Sequence, residues 1–250
     1  MASETSHSLQ QVEAKQTTVG NYFVANYPPF SFWTPERVSD AFAVFEQMPQ
    51  PGTDLGLYLH IPFCRKRCHF CYFRVYTDKN AAQIRHYMKA VLRELDLYAN
   101  RPFVGGRDLR FVYFGGGTPS YLSAEQLRYL FEGMKERLAW DRVEEVTFEC
   151  EPGTLNEKKL RALKDLGVTR LSLGIENFNQ QILEINGRAH GAKEIDQAYN
   201  SAREVGFDQI NIDLIAGMVN ETPENWARCV ARAIELEPEC ITIYQMEVPY

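Results

Sequence analysis

Three cysteines lie within one short run of the chain, from His60 to Cys71. Cys64, Cys68 and Cys71 have the spacing C-x3-C-x2-C. Three thiolates on one loop can bind three irons of a cubane [4Fe–4S] cluster and leave the fourth iron open to bind and reduce a ligand. A closed structural zinc site needs four ligands instead, and His60 or His69 could complete it. The spacing favours the open cluster, with zinc as the alternative.

Composition and charge limit the other function classes. The remaining cysteines, Cys150, Cys229 and Cys240, are far apart in apolar segments, so we expect them to be buried thiols. Six cysteines in 250 residues, without a signal-peptide pattern, do not indicate a secreted disulfide framework. A net charge of −6 disfavours nucleic acid and anionic membranes as partners, and no apolar run is long enough to span a bilayer. We therefore expect a cytoplasmic protein.

The first part of the chain differs in composition from the rest. Residues 1–20 are polar and are predicted to be disordered. Residues 21–55 are predicted to form an aromatic arm and a helix, with Thr34 as the N-cap and Pro35 at the first helical position. The arm either packs across the surface or covers the mouth of an active site. The core domain is predicted over 56–250.

From residue 56 onward, predicted strands alternate with predicted helices. The strands cover 57–61, 109–114, 145–149, 170–174, 209–215 and 240–245, and the helices cover 81–100, 123–138, 156–166, 192–205 and 223–236. This alternation predicts an α/β fold with a parallel sheet and right-handed crossovers. Six units fit a partial (β/α)6 TIM-like barrel. No helix follows the last strand, so we expect that a C-terminal region is missing from this sequence.

Candidate binding residues fall where the predicted strands end, which is where parallel barrels place their chemistry. Gly115, Gly116 and Gly117 follow the second strand, and glycines let a ligand approach the backbone closely. Glu149 and Glu151 would share one face if the third strand runs that far. Their carboxylates could bind ribose hydroxyls or an ammonium group, or could simply be solvated.

Other candidates depend on their neighbours in the sequence. Asp213 lies in an apolar strand, and a buried acid there needs a partner. Arg188 could bind a ligand carboxylate through both arms of its guanidinium, or could be an ordinary cation at a helix end. Tyr58 and His60 would share one face of the first strand. Phe70 could stack on an adenine, although packing is the favoured interpretation for Tyr58, His60 and Phe70 when each is taken alone.

Several motifs, in order, carry a resemblance to a known family over about residues 20–250. The run from Tyr58 to Cys71 resembles the radical S-adenosylmethionine (SAM) signature, specifically that of the oxygen-independent coproporphyrinogen III oxidase family. That family includes heme chaperones, heme-degrading enzymes and class C methyltransferases. The supporting motifs are Phe114-Gly-Gly-Gly-Thr-Pro-Ser120, Phe148-Glu-Cys-Glu-Pro152, Arg170-Leu-Ser-Leu-Gly-Ile-Glu-Asn-Phe178, Asn186-Gly-Arg188 and Asn211-Ile-Asp-Leu-Ile215.

The resemblance implies a role for each matched position. Cys64, Cys68 and Cys71 would bind the cluster, and SAM would chelate the open iron. The implied SAM contacts are Gly115, Gly116 and Thr118 at the methionine end, Phe70 at the adenine, and Glu149, Glu176, Arg188 and Asp213 at the ribose, amino or carboxylate groups. Tyr58 matches a tyrosine near the cluster and is the predicted catalytic residue. SAM would be cleaved to a 5′-deoxyadenosyl radical that abstracts hydrogen from a small-molecule substrate.

Two departures from the family pattern leave the substrate open. Phe73 stands where the decarboxylating oxidases carry a further cysteine, and Glu176 stands where the family usually has glutamine. A tetrapyrrole is the leading substrate by analogy, with a flavodoxin or ferredoxin as the reducing protein. A heme-binding chaperone and a methyltransferase that uses two SAM molecules are the alternatives.

Overall fold

The structure is a computed structural model that describes residues 34–246. Internal contacts divide the chain after Gln47, and the larger unit begins at Met48. The predicted disordered segment over 1–20 and the aromatic arm up to residue 33 lie outside the described residues. The predicted domain boundaries therefore stay predictions.

The short first unit contains helix α1, which spans Val38–Phe45 and follows a 3-10 turn over Pro35–Arg37. Pro35 opens that turn, where its fixed φ angle suits a helical start. Thr34 is the N-cap of that turn, as predicted, but its side chain makes no capping hydrogen bond. Its backbone carbonyl instead accepts a 2.9 Å bond from the amide of Arg37, as the tighter 3-10 geometry requires.

One sheet of six parallel strands forms the second unit, with the strands side by side in sequence order. Its strands are β1 (Leu55–Ile61), β2 (Leu109–Gly116), β3 (Glu145–Cys150), β4 (Arg170–Glu176), β5 (Gln209–Ala216) and β6 (Cys240–Gln245). The intervening helices are α2 (Ala81–Ala99), α3 (Ala124–Lys135), α4 (Glu157–Asp165), α5 (Gln180–Ile185), α6 (Ala192–Val205) and α7 (Pro223–Glu235). This confirms the predicted α/β parallel sheet. The short helix α5 was not predicted.

Among the strands that extend further than predicted, β2 and β4 gain candidate binding residues. Gly115 and Gly116 do not follow β2 but belong to it, because β1 continues to Ile61 and pairs with Gly116. Glu176 is the last residue of β4 rather than a loop residue, and it pairs with Leu214 of β5 after an irregularity in the ladder. Pairing with a neighbouring strand, which the local sequence does not reveal, decides where each strand ends.

Alternating residues give the sheet two different faces. One face packs against the helices and is apolar, as at Phe114, which stacks 4.6 Å from Phe131 of α3 and lies 5.1 Å from Phe148. Burying an aromatic side chain of this size contributes about 1.5–3 kcal/mol. We call the other side the polar face of the sheet; it carries Tyr58, His60, Tyr113, Glu149, Ser172, Glu176, Asn211, Asp213 and Thr242. The apolar face thus stabilises the fold, and the polar face is available for chemistry.

Local signals fix where several helices begin. Ser123 and Gln126 form a capping box at α3, and Asn80 and Gln83 form another at α2. The predicted burial of the isolated cysteines is confirmed for Cys150 and Cys229 but wrong for Cys240. Cys240 is exposed because β6 is an edge strand with no helix covering it among the described residues.

Candidate active site

The three cysteines lie on the loop between β1 and α2, at the carboxyl edge of the sheet. Cys64 is buried, Cys68 and Cys71 are half-buried, and all three thiols are free. Backbone bonds fold the loop back on itself: the Cys64 amide donates to Tyr76 across 3.1 Å, and the Cys71 amide donates to Cys68 across 3.2 Å. We call residues 62–76 the cysteine loop. Its folding brings the thiols to one region without joining them as a disulfide.

The three thiols lie close enough for their charges to affect one another, but they do not form a group that could hold a single metal ion. Within residues 34–246, no three His, Cys, Asp or Glu side chains are grouped as they would be around one metal ion. The two histidines of the zinc alternative already have partners: His60 Nδ1 lies 2.9 Å from the Tyr58 hydroxyl, and His69 Nδ1 donates to the Ile185 carbonyl across 2.9 Å. A [4Fe–4S] cluster suits such an arrangement, because each of the three thiols binds a different iron.

Two polar side chains from other segments of the chain contact the thiols. The Thr118 hydroxyl donates to Sγ of Cys64 across 3.3 Å, and Nη1 of Arg188 donates to Sγ of Cys68 across 3.2 Å. Burial raises the pKa of Cys64 and of Cys71, and the bond from Thr118 partly opposes this at Cys64. Donors of this kind stabilise the thiolate form that metal binding requires.

The glycines of β2 leave room for the neighbouring side chains. A Cβ atom at Gly115 would lie 3.0 Å from Oε1 of Glu149, and one at Gly116 would lie 2.7 Å from the His60 ring. At Gly117 it would lie 2.9 Å from Sγ of Cys64. Gly116 also has a φ angle of 119°, which side chains rarely tolerate. These positions therefore require glycine for close packing of the cysteine loop and Glu149.

Glu149 is held on the polar face by neighbours from β2. It accepts a 2.8 Å bond from the Tyr113 hydroxyl and a 3.1 Å bond from the Gly116 amide. Burial raises the pKa of Glu149 to about 7, against the lowering effect of these two bonds. Tyr113 also stacks on Tyr58 with ring centroids 5.9 Å apart. Sequence reasoning missed Tyr113, although its spacing of two residues from Gly115 places it on the same face.

Asp213 has the partners that a buried acid requires. It accepts bonds of 2.8 Å from Ser172 and 2.9 Å from Asn211, both on the polar face. Burial nevertheless raises the pKa of Asp213 above its ordinary value. The prediction that this acid is paired is confirmed by these contacts.

Glu176 and Arg188 form a buried pair beside the thiol of Cys68. Their Oε1 and Nη2 atoms are 3.4 Å apart, and Nη2 also donates to the Gly174 carbonyl across 2.7 Å. Glu176 has a φ of 66°, a left-handed conformation that is costly for a residue with a side chain. Burial raises its pKa to about 7; Arg188 lowers this value, whereas the charges of Asp213 and Glu149 raise it.

The remaining predicted residues lie around this centre. Tyr58 is about half-exposed, and burial raises its pKa to about 12. Its bond to His60 confirms that the two share one face. Phe70 is half-buried within the cysteine loop. Glu151 does not act with Glu149, because β3 ends at Cys150; it binds Arg65 instead.

The arrangement combines three kinds of chemistry within one edge of the sheet. Three thiols can bind irons. Three carboxyl groups with raised pKa values, those of Glu149, Glu176 and Asp213, favour a cationic ligand. The Arg188 guanidinium can bind a carboxylate. A ligand that carries both positive groups and a carboxylate would match this distribution of charge.

Comparison with known proteins agrees with this geometry. The model of the Radical SAM superfamily matches residues 58–233. The chain belongs to this superfamily, whose members use a [4Fe–4S] cluster and SAM. The free thiols of the cysteine loop suit the cluster, and the mixed charges of the site suit SAM.

Two curated relatives and one solved structure place the chain more closely. The heme chaperone HemW of Haemophilus influenzae is 35% identical over 196 residues, which cover 78% of this chain and 51% of that protein. The oxygen-independent coproporphyrinogen III oxidase of Escherichia coli is 32% identical over 241 residues, which cover 95% and 52%. The chain spans about half the length of the curated relatives it matches.

The solved structure is that of coproporphyrinogen III oxidase (HemN) from Escherichia coli, a radical SAM enzyme. It has a TM-score of 0.81 and 30% identity, and the match covers 90% of this chain and 51% of that chain. This match confirms the predicted partial barrel. Among the described residues, no helix is both long and apolar enough to cross a membrane.

Proposed function

We propose that this chain is a radical SAM enzyme in which Cys64, Cys68 and Cys71 bind the cluster. The observation that carries this proposal is the contact of Arg188 with Cys68. It joins a cysteine that would bind the cluster to a cation that can bind the carboxylate of SAM. When bound and reduced, the cluster supplies the electron that cleaves SAM to methionine and a 5′-deoxyadenosyl radical.

The protein's own residues bind and orient SAM in this proposal. The Arg188 guanidinium binds the carboxylate, and Gly115, Gly116 and Thr118 border the methionine end. Glu149, Glu176 and Asp213 bind the amino group and the ribose hydroxyls and offset the positive charge of the sulfonium. Phe70 contacts the adenine. Tyr58, on the edge strand β1, is the proposed catalytic residue.

The substrate we propose is a small molecule, with a tetrapyrrole favoured because both named relatives act on or carry one. A flavodoxin or ferredoxin would supply electrons, and nucleic acid and membranes would not be partners. The protein would act in the cytoplasm. These statements rest on the relatives and on the net charge of −6.

A second candidate is a heme-binding chaperone on the same scaffold. Phe73 favours it over the oxidase, because an exposed phenylalanine occupies the position where the decarboxylating oxidases that the chain resembles have a cysteine. The heme chaperone relative is also as similar to this chain as the oxidase. A chaperone would bind heme tightly and would form little 5′-deoxyadenosine.

The central test is anaerobic reconstitution with iron and sulfide, then reduction with dithionite in the presence of SAM. We expect a brown protein that forms 5′-deoxyadenosine. Cys68→Ser should lose both properties, whereas Cys240→Ser, at an exposed cysteine outside the loop, should keep them. A colourless protein that retains one zinc per chain would contradict the proposal.

A second test separates the two candidates. The reconstituted protein is titrated with heme and, separately, incubated with coproporphyrinogen III under reducing conditions. Consumption of coproporphyrinogen with matching 5′-deoxyadenosine supports the oxidase. Tight heme binding without consumption supports the chaperone.

A further inference from the structure

Three residues of the cysteine loop contact the same segment elsewhere in the chain. That segment, residues 185–190, connects the end of α5 to the start of α6. It carries Arg188, whose contact with Cys68 is described above. We call residues 185–190 the cradle. The other two contacts involve Arg65 and His69, which the functional assignment above does not use.

The first contact is made by Arg65, which directly follows Cys64. Its Nε and Nη2 atoms donate to the two oxygens of Glu151 across 3.1 and 2.9 Å, a bidentate pairing. Nη2 also donates to the Ala189 carbonyl of the cradle across 2.6 Å. One guanidinium therefore connects the cysteine loop both to the end of β3 and to the cradle.

The carboxylate at the centre of this contact is buried and well supplied with partners. The Glu151 side chain is only 8% exposed, and the fully buried His190 Nδ1 lies 3.3 Å from its Oε1 atom. Burial alone would raise the pKa of Glu151, but His190 and Arg65 lower it below its ordinary value. Glu151 is therefore ionised near neutral pH, which strengthens its bonds with Arg65.

The second contact is made by His69, between the second and third cysteines. Its amide donates to the Asn186 carbonyl across 3.0 Å, and its Nδ1 donates to the Ile185 carbonyl across 2.9 Å. Gly187 has a φ of +76°, and a Cβ atom there would lie 2.7 Å from the His69 ring. The cradle is thus shaped to receive this ring.

We propose that Arg65 is a positioning residue which, together with His69 and the cradle, orders the cysteine loop before any iron is bound. Arg65 fixes the backbone next to Cys64, and His69 fixes the backbone between Cys68 and Cys71. The loop then holds the three thiols in position before any metal is bound. The proposed role of this loop ordering, to prepare the thiols for iron, rests on the proposed cluster function. The ordering itself is a property of the metal-free chain.

The test measures the metal-free protein directly. Cys64, Cys68 and Cys71 are alkylated with iodoacetamide at fixed pH, and the rate at each site is followed by mass spectrometry. We expect Arg65→Gln to react about tenfold faster at Cys64 and Cys68, because losing charged hydrogen bonds favours local opening of the loop. Lys66→Gln is the matched control; it removes the same charge one residue later, from an exposed side chain, and should react like the wild type.

Further variants separate positioning from a general loss of stability. Arg65→Lys keeps the positive charge but loses the bidentate pairing with Glu151. Its cysteines should be alkylated at a rate between those of the wild type and Arg65→Gln. Gly187→Ala should speed alkylation at Cys68 and Cys71 by displacing His69. After reconstitution, the electron paramagnetic resonance spectrum of reduced Arg65→Gln should differ from the wild type, and that of Lys66→Gln should superimpose on it.

Equal alkylation rates in wild type, Arg65→Gln and Lys66→Gln, at an unchanged melting temperature, would overturn the proposal. So would faster alkylation of all six cysteines, since that indicates global unfolding. Failure of the wild-type protein to take up a cluster would contradict the proposed function instead, and it would leave the alkylation result intact.

Discussion

Arg188 and Cys68, far apart in the sequence, are joined by a 3.2 Å hydrogen bond from Nη1 to Sγ. The other arm of the same guanidinium contacts Gly174 and Glu176 at the end of β4. One largely buried cation thus links the cysteine loop to the polar face of the sheet. A ligand that replaces Glu176 as its partner would lie directly beside the thiols.

Arg188→Lys should weaken SAM binding. Lysine keeps the charge but cannot contact Cys68, Gly174 and a ligand carboxylate together. Losing one charge-assisted bond costs about 1.5–3 kcal/mol, so we expect an affinity roughly 10- to 100-fold lower. Isothermal titration of the reconstituted protein measures it. Arg203→Lys, at a surface ion pair with Glu239, is the control and should bind SAM like the wild type. Equal affinities of the wild type and both variants would show that Arg188 does not bind SAM.

Gly117→Ala should prevent cluster assembly while leaving the sheet folded. The new methyl group would lie 2.9 Å from Sγ of Cys64 and 3.0 Å from the Phe63 carbonyl, and backbone atoms cannot shift cheaply. We expect iron content to fall to less than about a tenth of the wild-type value, with far-ultraviolet circular dichroism unchanged. A variant that assembles a full cluster would show that the loop can move away from β2 without loss.

SAM binding should strengthen as pH rises from 6 to 8. The pKa values of Glu149 and Glu176 are both raised to about 7, so these carboxyls are largely protonated at pH 6. A cationic ligand favours their ionised forms, and its binding therefore releases protons. For one group that titrates near 7, the dissociation constant should fall about tenfold across this range. Calorimetry in two buffers of different ionisation enthalpy counts the protons released on binding. An affinity for SAM that does not change with pH would contradict the role of Glu149 and Glu176.

Glu176→Gln should reduce that pH dependence. At pH 6 the wild-type carboxyl is largely neutral, so the variant should bind SAM with nearly the same affinity. At pH 8 the variant lacks a negative charge, and we expect binding about tenfold weaker than in the wild type. Glu184→Gln, on the exposed side of α5, is the matched control and should follow the wild type at both pH values. If Glu176→Gln bound SAM more weakly than the wild type at pH 6 but not at pH 8, the result would contradict this prediction.

Local patterns in the sequence were enough to predict the cysteine motif, the alternation of strands and helices, and most of the candidate residues. These depend on local spacing: three thiols on one loop, apolar residues with the period of a strand or helix, and capping residues such as Ser123. Tyr58 and His60 could be placed on one face because side chains alternate along any strand. Asp213 could be predicted to have a partner because an acid in an apolar run needs one.

Which of these residues contact one another became known only from the folded chain. Pairing with β1 extended β2 to Gly116, and pairing with β5 extended β4 to Glu176. Glu149 and Glu151, two residues apart, acquired different partners because β3 ends between them. Arg65 and His69 gained their roles from carbonyls and a carboxylate more than eighty residues further along the chain. Such contacts depend on how separate strand ends meet in space, and no local pattern in the sequence encodes that distance.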